Sequence, residues 1–245
     1  ISKYCREHDV KYYFPKAFQH YPDMGNDIDL FIDIESSSLE DFVTHFELKP
    51  DETSFLNIIS GKKPYLYNNE IPLETHKYAG HFGEFKSLTI EFYDNLVYQN
   101  EVLQLQDEFK FINQIIQRFY GHFSIRISDI IYSINLLNNG LDLDFIKTKS
   151  YQYGLKPALD EYLNFIFKNF NKYITKEYDY INSSSKSIRI VFSTDHFIVS
   201  KRFAIWLYFN KLVTDLWHLR IYSAMKMLST PFVGLVLIFR KLSIF

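Results

Sequence analysis

Asp27 and Asp29 stand two residues apart in the run Asp27-Ile-Asp-Leu-Phe-Ile-Asp33, where acidic or aromatic side chains alternate with Ile28, Leu30 and Ile32. On a strand, neighbouring side chains point to opposite faces, so the two carboxylates share one face while the aliphatics enter a core. Two like charges side by side are unfavourable unless a cation or a proton relieves them. A divalent metal answers that need, because hard cations such as Mg²⁺ are bound through oxygen and keep open positions for phosphate. A third carboxylate from a neighbouring strand would complete the site. The chemistry such a site supports is phosphoryl or nucleotidyl transfer, in which one ion activates a hydroxyl and a second neutralises a triphosphate and its leaving pyrophosphate.

Several elements must position these groups. Val10 to Phe14 reads as a short strand after a helix end over Ile1 to His8. Tyr21-Pro22-Asp23-Met24-Gly25-Asn26 then supplies the Pro, Gly and Asn of a tight turn, so the carboxylates begin where a turn becomes a strand. Ser36-Ser37-Ser38-Leu39-Glu40-Asp41 starts a crossover helix, hydroxyl caps preceding acidic residues, that runs about ten residues to Phe46 or Leu48. Lys63 to Tyr67 and Ile71 to Tyr78 flank Asn68-Asn69-Glu70 as a hairpin, which places Glu74 and His76 on one strand face. Beyond residue 100 the pattern turns helical, with apolar residues at three- and four-residue spacing over Val102 to Tyr120, Ile125 to Leu137, Lys156 to Tyr173 and Lys201 to Leu228. Breaks fall at Asn138-Asn139-Gly140 and Ile181 to Lys186, and Ile188 to Phe192 reads as a short strand. The expected fold is α+β: a small mixed sheet with flanking helices over residues 1–98, then a helical domain over 99–245.

The bulk numbers narrow the partners. Of the 245 residues 47% are hydrophobic and 23% charged, which indicates a folded chain rather than a disordered one. With 27 basic against 29 acidic residues the net charge is −2, so no global positive field draws long nucleic acid. Cys5 is the single cysteine, which excludes a disulfide framework and thiolate zinc sites and suits a reducing compartment, the cytoplasm. The 19 Tyr and 24 Phe accompany abundant Ile, Asn and Lys, a compositional bias that carries no functional weight. The chain opens at Ile1 in what reads as a helix end, implying residues upstream, and shows no signal peptide. Pro231 to Phe239 is apolar and followed by Arg240 and Lys241; it is far shorter than the roughly 20 residues of a membrane span. Residues 231–245 are therefore expected to bury as a terminal helix, to face a partner protein, or to anchor peripherally at a membrane.

Gly25-Asn26-Asp27-Ile28-Asp29-Leu30-Phe31-Ile32, preceded by Tyr21-Pro22, resembles the Gly-x-Asp-h-Asp-h signature (h apolar) of nucleotidyltransferase-fold proteins. It is most similar to the uncharacterised bacterial nucleotidyltransferase family, and Leu73-Glu74-Thr75-His76 resembles that family's later acidic strand. Phe123 to Ile130, Leu141 to Ile146 and Tyr153 to Leu159 resemble its helical C-terminal region. The resemblance implies Mg²⁺, one ion or two, with Mn²⁺ able to substitute, held by Asp27, Asp29 and Glu74, the last also serving as base. It implies that Gly25 and Asn26 approach the triphosphate of ATP or another NTP, with Lys16 reaching a phosphate. The implied reaction moves an NMP group to a hydroxyl of a sugar, a small molecule, a protein or an RNA end. Where many members carry Gly-Gly or Gly-Ser before the acidic motif, this chain reads Pro15-Lys16-Ala17-Phe18.

Rival residues and roles stay open at this point. Glu91 and Glu84 compete with Glu74 as third acid; Asp33 suits a cap or a solvated end. His76 is read as orienting Glu74, touching substrate, or structural. Arg126 and Asp129, three apart on a helix, read as an ion pair, with a substrate-facing Arg126 the alternative. A catalytically silent nucleotide-binding or regulatory module and a membrane-proximal assembly protein are the rival functions.

Overall fold

In the computed structural model the chain is described over residues 1–15, 28–51, 62–68, 70–80, 84–99, 101–178, 190–192 and 196–228. Its organising element is a five-stranded mixed sheet in the order β1-β2-β5-β4-β3, formed by β1 (Lys11–Tyr13), β2 (Ile28–Asp33), β3 (Lys49–Pro50), β4 (Lys62–Tyr67) and β5 (Ile71–His76). β2 and β5 pair in parallel, whereas every other neighbouring pair is antiparallel. The expected hairpin is present, β4 pairing with β5 across a turn in which Asn68 takes the left-handed conformation at φ 52°. Asn tolerates that region because its short amide side chain can bond locally.

The alternation along β2 sorts its residues between two cores. Leu30 and Ile32 join Leu73, Tyr12 and Tyr65 and pack against Tyr4 and Cys5 of α1 (Ser2–Glu7) and Leu39 and Phe42 of α2 (Ser36–His45). Phe31 faces the other way with Tyr13 and packs on Leu88 and Phe92 of α3 (Lys86–Asp94), in a core that continues through the helical half. Asp29, Phe31, Glu74 and His76 therefore lie on the face that the helices cover, and both sides of the sheet are dressed with helices.

That helical half is built from α4 (Asp107–Ile115), α5 (Ile127–Asn139), α6 (Leu143–Gln152), α7 (Lys156–Phe170), α8 (Lys201–Trp217) and a last helix, α9, over residues 221–228. α5 stops at Asn139, with Gly140 left-handed at φ 92°, where the Asn-Asn-Gly break was expected. The interval expected to be mostly helical contains the short strand expected within Ile188 to Phe192, here β9, and further strands besides. β6 (Leu96–Gln99) and β7 (Val102–Leu105) form a hairpin straddling residue 98, with Glu101 left-handed at φ 62°. β8 (Ser124–Arg126), β9 (Ile190–Phe192) and β10 (His196–Val199) make a second, antiparallel sheet in the order β8-β10-β9. Between α4 and β8 the chain winds as a π-helix over Ile116–His122 and ends on left-handed Phe123.

α8 buries Phe203, Ala204 and Leu207 but leaves Ile205, Phe209 and Trp217 exposed, and the break at Leu219, φ 55°, divides it from α9. Among the described residues no helix is long and apolar enough to cross a membrane. The Ile181 to Lys186 break and the apolar stretch over 231–239 lie outside the described residues.

Candidate metal centre

Parallel pairing of β2 with β5 sets the register Asp29↔Glu74 and Phe31↔His76. Partners in a ladder share a face, so two carboxylates and an imidazole are brought together by backbone pairing alone. His76 Nε2 lies 3.0 Å from Asp29 Oδ1 and 3.5 Å from Glu74 Oε2. One ligand atom from each of the three falls within 4.8 Å of the others, close enough to hold a single metal ion.

The three are unequally covered: the side chains of His76, Asp29 and Glu74 are 7%, 11% and 24% exposed, so an incoming molecule meets Glu74 first. The imidazole is fixed from its flat side. It stacks on Phe31 at 4.8 Å between centroids and 8° between planes, and Phe31 stacks in turn on Tyr13 at 4.8 Å and 15°. At 3.0 Å from a carboxylate oxygen, Nε2 donates to it in the tautomer that carries the ring hydrogen there. To ligate a cation it must instead offer its lone pair, with the ring hydrogen on Nδ1.

Two tyrosines border this face. Tyr13 is fully buried, and burial, followed by Tyr93 and Asp29, drives its hydroxyl well above the ordinary tyrosine pKa. Burial, then Asp33 and Tyr78, does the same to Tyr93. Neither hydroxyl has a hydrogen-bond partner among the described residues.

No protein-family model, curated protein or solved structure matches the chain. The chemistry of the donors must therefore carry the functional reading. Two carboxylates fit a hard divalent cation, and an imidazole fits a borderline one.

Of the residues singled out in the sequence, Asp29, Glu74 and His76 converge. Lys16, Gly25, Asn26 and Asp27 lie outside the described residues. Arg126 is placed elsewhere, exposed on β8 of the second sheet, where its backbone N–H donates to Asp129 Oδ2 at 2.7 Å. Asp129 makes its 2.8 Å ion pair with Arg118 of the π-helix, both side chains buried.

The rival acids are engaged in the helical half. Glu91 on α3 receives Lys149 at 2.6 Å and the Tyr153 hydroxyl. Glu84 is fully buried beside Lys211, which donates to its backbone carbonyl at 3.2 Å. Asp33 is exposed at the end of β2. Burial pushes the pKa of the Cys5 thiol up to about 11, and the side chain is fully enclosed, so the thiolate form is disfavoured.

Sequence reasoning missed the tyrosines. Tyr13 carried a signal in its parity, since a strand Tyr opposite Phe31 must share that residue's face. Nothing in the sequence marked Tyr93.

Proposed function

We propose that the protein is a divalent-cation-dependent nucleotidyltransferase of the nucleotidyltransferase fold, moving an NMP group from an NTP to a hydroxyl acceptor. The observation that carries this reading is the register of Asp29 against Glu74 across parallel strands, with His76 between them. In the sequence the strand of Asp29 is preceded by Gly25-Asn26-Asp27, residue types whose backbone can approach phosphates.

In this reading Asp29 and Glu74 hold the cation, Mg²⁺ by resemblance, together with Asp27. The bound ion would polarise the α-phosphate and offset the charge gathering on the leaving group. Glu74, the most exposed of the three, keeps an oxygen for the acceptor and takes its proton. A bond then forms between acceptor oxygen and α-phosphorus, and the bond from that phosphorus to pyrophosphate breaks. His76, pinned by Phe31, prevents Asp29 from swinging away from Glu74.

Titration of each NTP with Mg²⁺ or Mn²⁺ into the protein, with pyrophosphate release followed in parallel, tests the proposal. Binding with turnover, both lost in Asp29→Asn, is the expected result. Binding without pyrophosphate from any NTP and acceptor class would reduce the protein to a nucleotide-binding module, the reading that Pro15-Lys16-Ala17-Phe18 in place of a Gly-Ser pair favours.

A further inference from the structure

An all-carboxylate site and this one differ by a single donor, and that donor decides which metals it prefers. His76 turns Nε2, rather than an edge of its ring, toward both Asp29 Oδ1 and Glu74 Oε2. Its ring plane is held on Phe31, and its side chain is more than nine-tenths buried. An imidazole kept only for packing has no need to aim one nitrogen between two carboxylates on an otherwise aromatic face. A second observation lies beside it. The Tyr13 hydroxyl, fully buried and without a hydrogen-bond partner among the described residues, belongs to the ring that stacks on Phe31, which in turn stacks on His76. Buried polar atoms of this kind are satisfied by water or an ion's hydration shell.

We propose that His76 Nε2 is itself a ligand, alongside one oxygen from Asp29 and one from Glu74, and that this set selects a first-row transition ion such as Mn²⁺ over Mg²⁺. The inference rests on reading the group as a metal centre, and it goes beyond that reading in making His76 a ligand beside the carboxylates, rather than a residue that only orients Asp29, and in naming the metal class. Mg²⁺ demands near-octahedral oxygen ligation and gives up its waters reluctantly, so a buried imidazole adds little to its binding. Imidazole nitrogen suits the later divalent ions, whose affinity for mixed nitrogen and oxygen donors rises along the first row from Mn²⁺. Two carboxylates keep the donor set oxygen-rich, which keeps Mn²⁺ among the ions the site accepts rather than restricting it to softer ions.

The experiment uses the full chain stripped with chelator and titrated with Mn²⁺ alone, the bound ion being read by continuous-wave and pulsed EPR. Wild-type protein should bind one Mn²⁺ at this group and show ¹⁴N modulation, which converts to the ¹⁵N pattern when histidine alone is ¹⁵N-labelled. Mg²⁺ should displace that Mn²⁺ only in large excess. His76→Gln should weaken Mn²⁺ by at least the roughly 10- to 100-fold that outer-shell partners of metals are worth. It should also lose the nitrogen modulation and bring Mn²⁺ and Mg²⁺ affinities together. Mn²⁺ bound with no nitrogen coupling, or coupling that persists in His76→Gln, overturns this inference and leaves the metal-dependent reading standing. Failure of wild-type protein to bind Mn²⁺ or Mg²⁺ overturns both. The labelled wild-type protein alone shows whether nitrogen is bound to the ion, even where the variant fails to fold.

Discussion

Lys211 and Asp215, one turn apart on α8, pair inside the helical half at 1% and 0% exposure, with Arg220 3.7 Å from the same carboxylate. Asp29 and Glu74, by contrast, are two acids facing one another across strands, with an imidazole between them. In the first cluster opposite charges meet, and Lys211 finds a further acceptor in the Glu84 carbonyl and an aromatic face in Phe85. Burial lowers the Lys211 pKa and raises that of Asp215, in each case against the attraction of the other. The contrast teaches how to separate a buried charge that serves the fold from one that serves chemistry. A cluster of mixed sign offsets its own charge, even where Asp215 Oδ1 lacks a hydrogen-bond partner among the described residues, whereas like charges on a shared face leave a charge that a cation or proton would relieve.

The largest expected effect tests the self-satisfied cluster. Lys211→Met leaves a buried carboxylate without its closest cation and should cost about 3–5 kcal/mol in urea denaturation. Adding Asp215→Leu should recover most of that loss, since an apolar replacement of a buried pair is often neutral. A double variant as unstable as the single one would show that packing, not charge, holds α8 in place.

The next effect probes the sheet cluster. Mn²⁺ at a hundred times its dissociation constant should raise unfolding stability by about 2.7 kcal/mol. A chelator should reverse the gain. Asp29→Asn should abolish it, while changing the stability of the metal-free protein by less than about 1 kcal/mol, because the substitution removes one of two like charges. An equal gain in wild type and variant would put the metal elsewhere. The smallest effect sharpens the choice among acids. Glu91→Gln should cost no more than about 1 kcal/mol, its partner Lys149 being partly exposed, and should leave Mn²⁺ affinity unchanged.

Much of the acidic sheet was legible because its signals are local. The alternation through Ile28 to Asp33 and the Asn-rich turn before Ile71 each specify a strand without help from distant residues. Parity also placed Glu74 and His76 on one face. The strand register could not be read, since parallel pairing of β2 with β5 is chosen by packing of the whole sheet. Val102 to Leu105 misled for a different reason. Its apolar spacing runs on into Phe109 and Ile112 and looks like one helix, yet its partner Leu96–Gln99 and left-handed Glu101 hold it in a hairpin. Ser124–Arg126 likewise joined a helical pattern in the sequence, and became a strand through pairing with His196–Val199, far along the chain. Arg118 and Asp129 found one another only once the π-helix had turned Arg118 inward.

The crossover between β2 and β5 also makes the pairing of Asp29 with Glu74 a long-range contact. Asp29 and Glu74 belong to segments separated by α2, β3 and β4, so their pairing carries the entropy cost of closing a long loop. An ion gripped by both strands therefore has little to hold in the early ensemble and much to hold in the finished one. If the proposed ion binds there, its effect should fall on the rate of unfolding rather than the rate of folding, which stopped-flow unfolding with and without Mn²⁺ would measure.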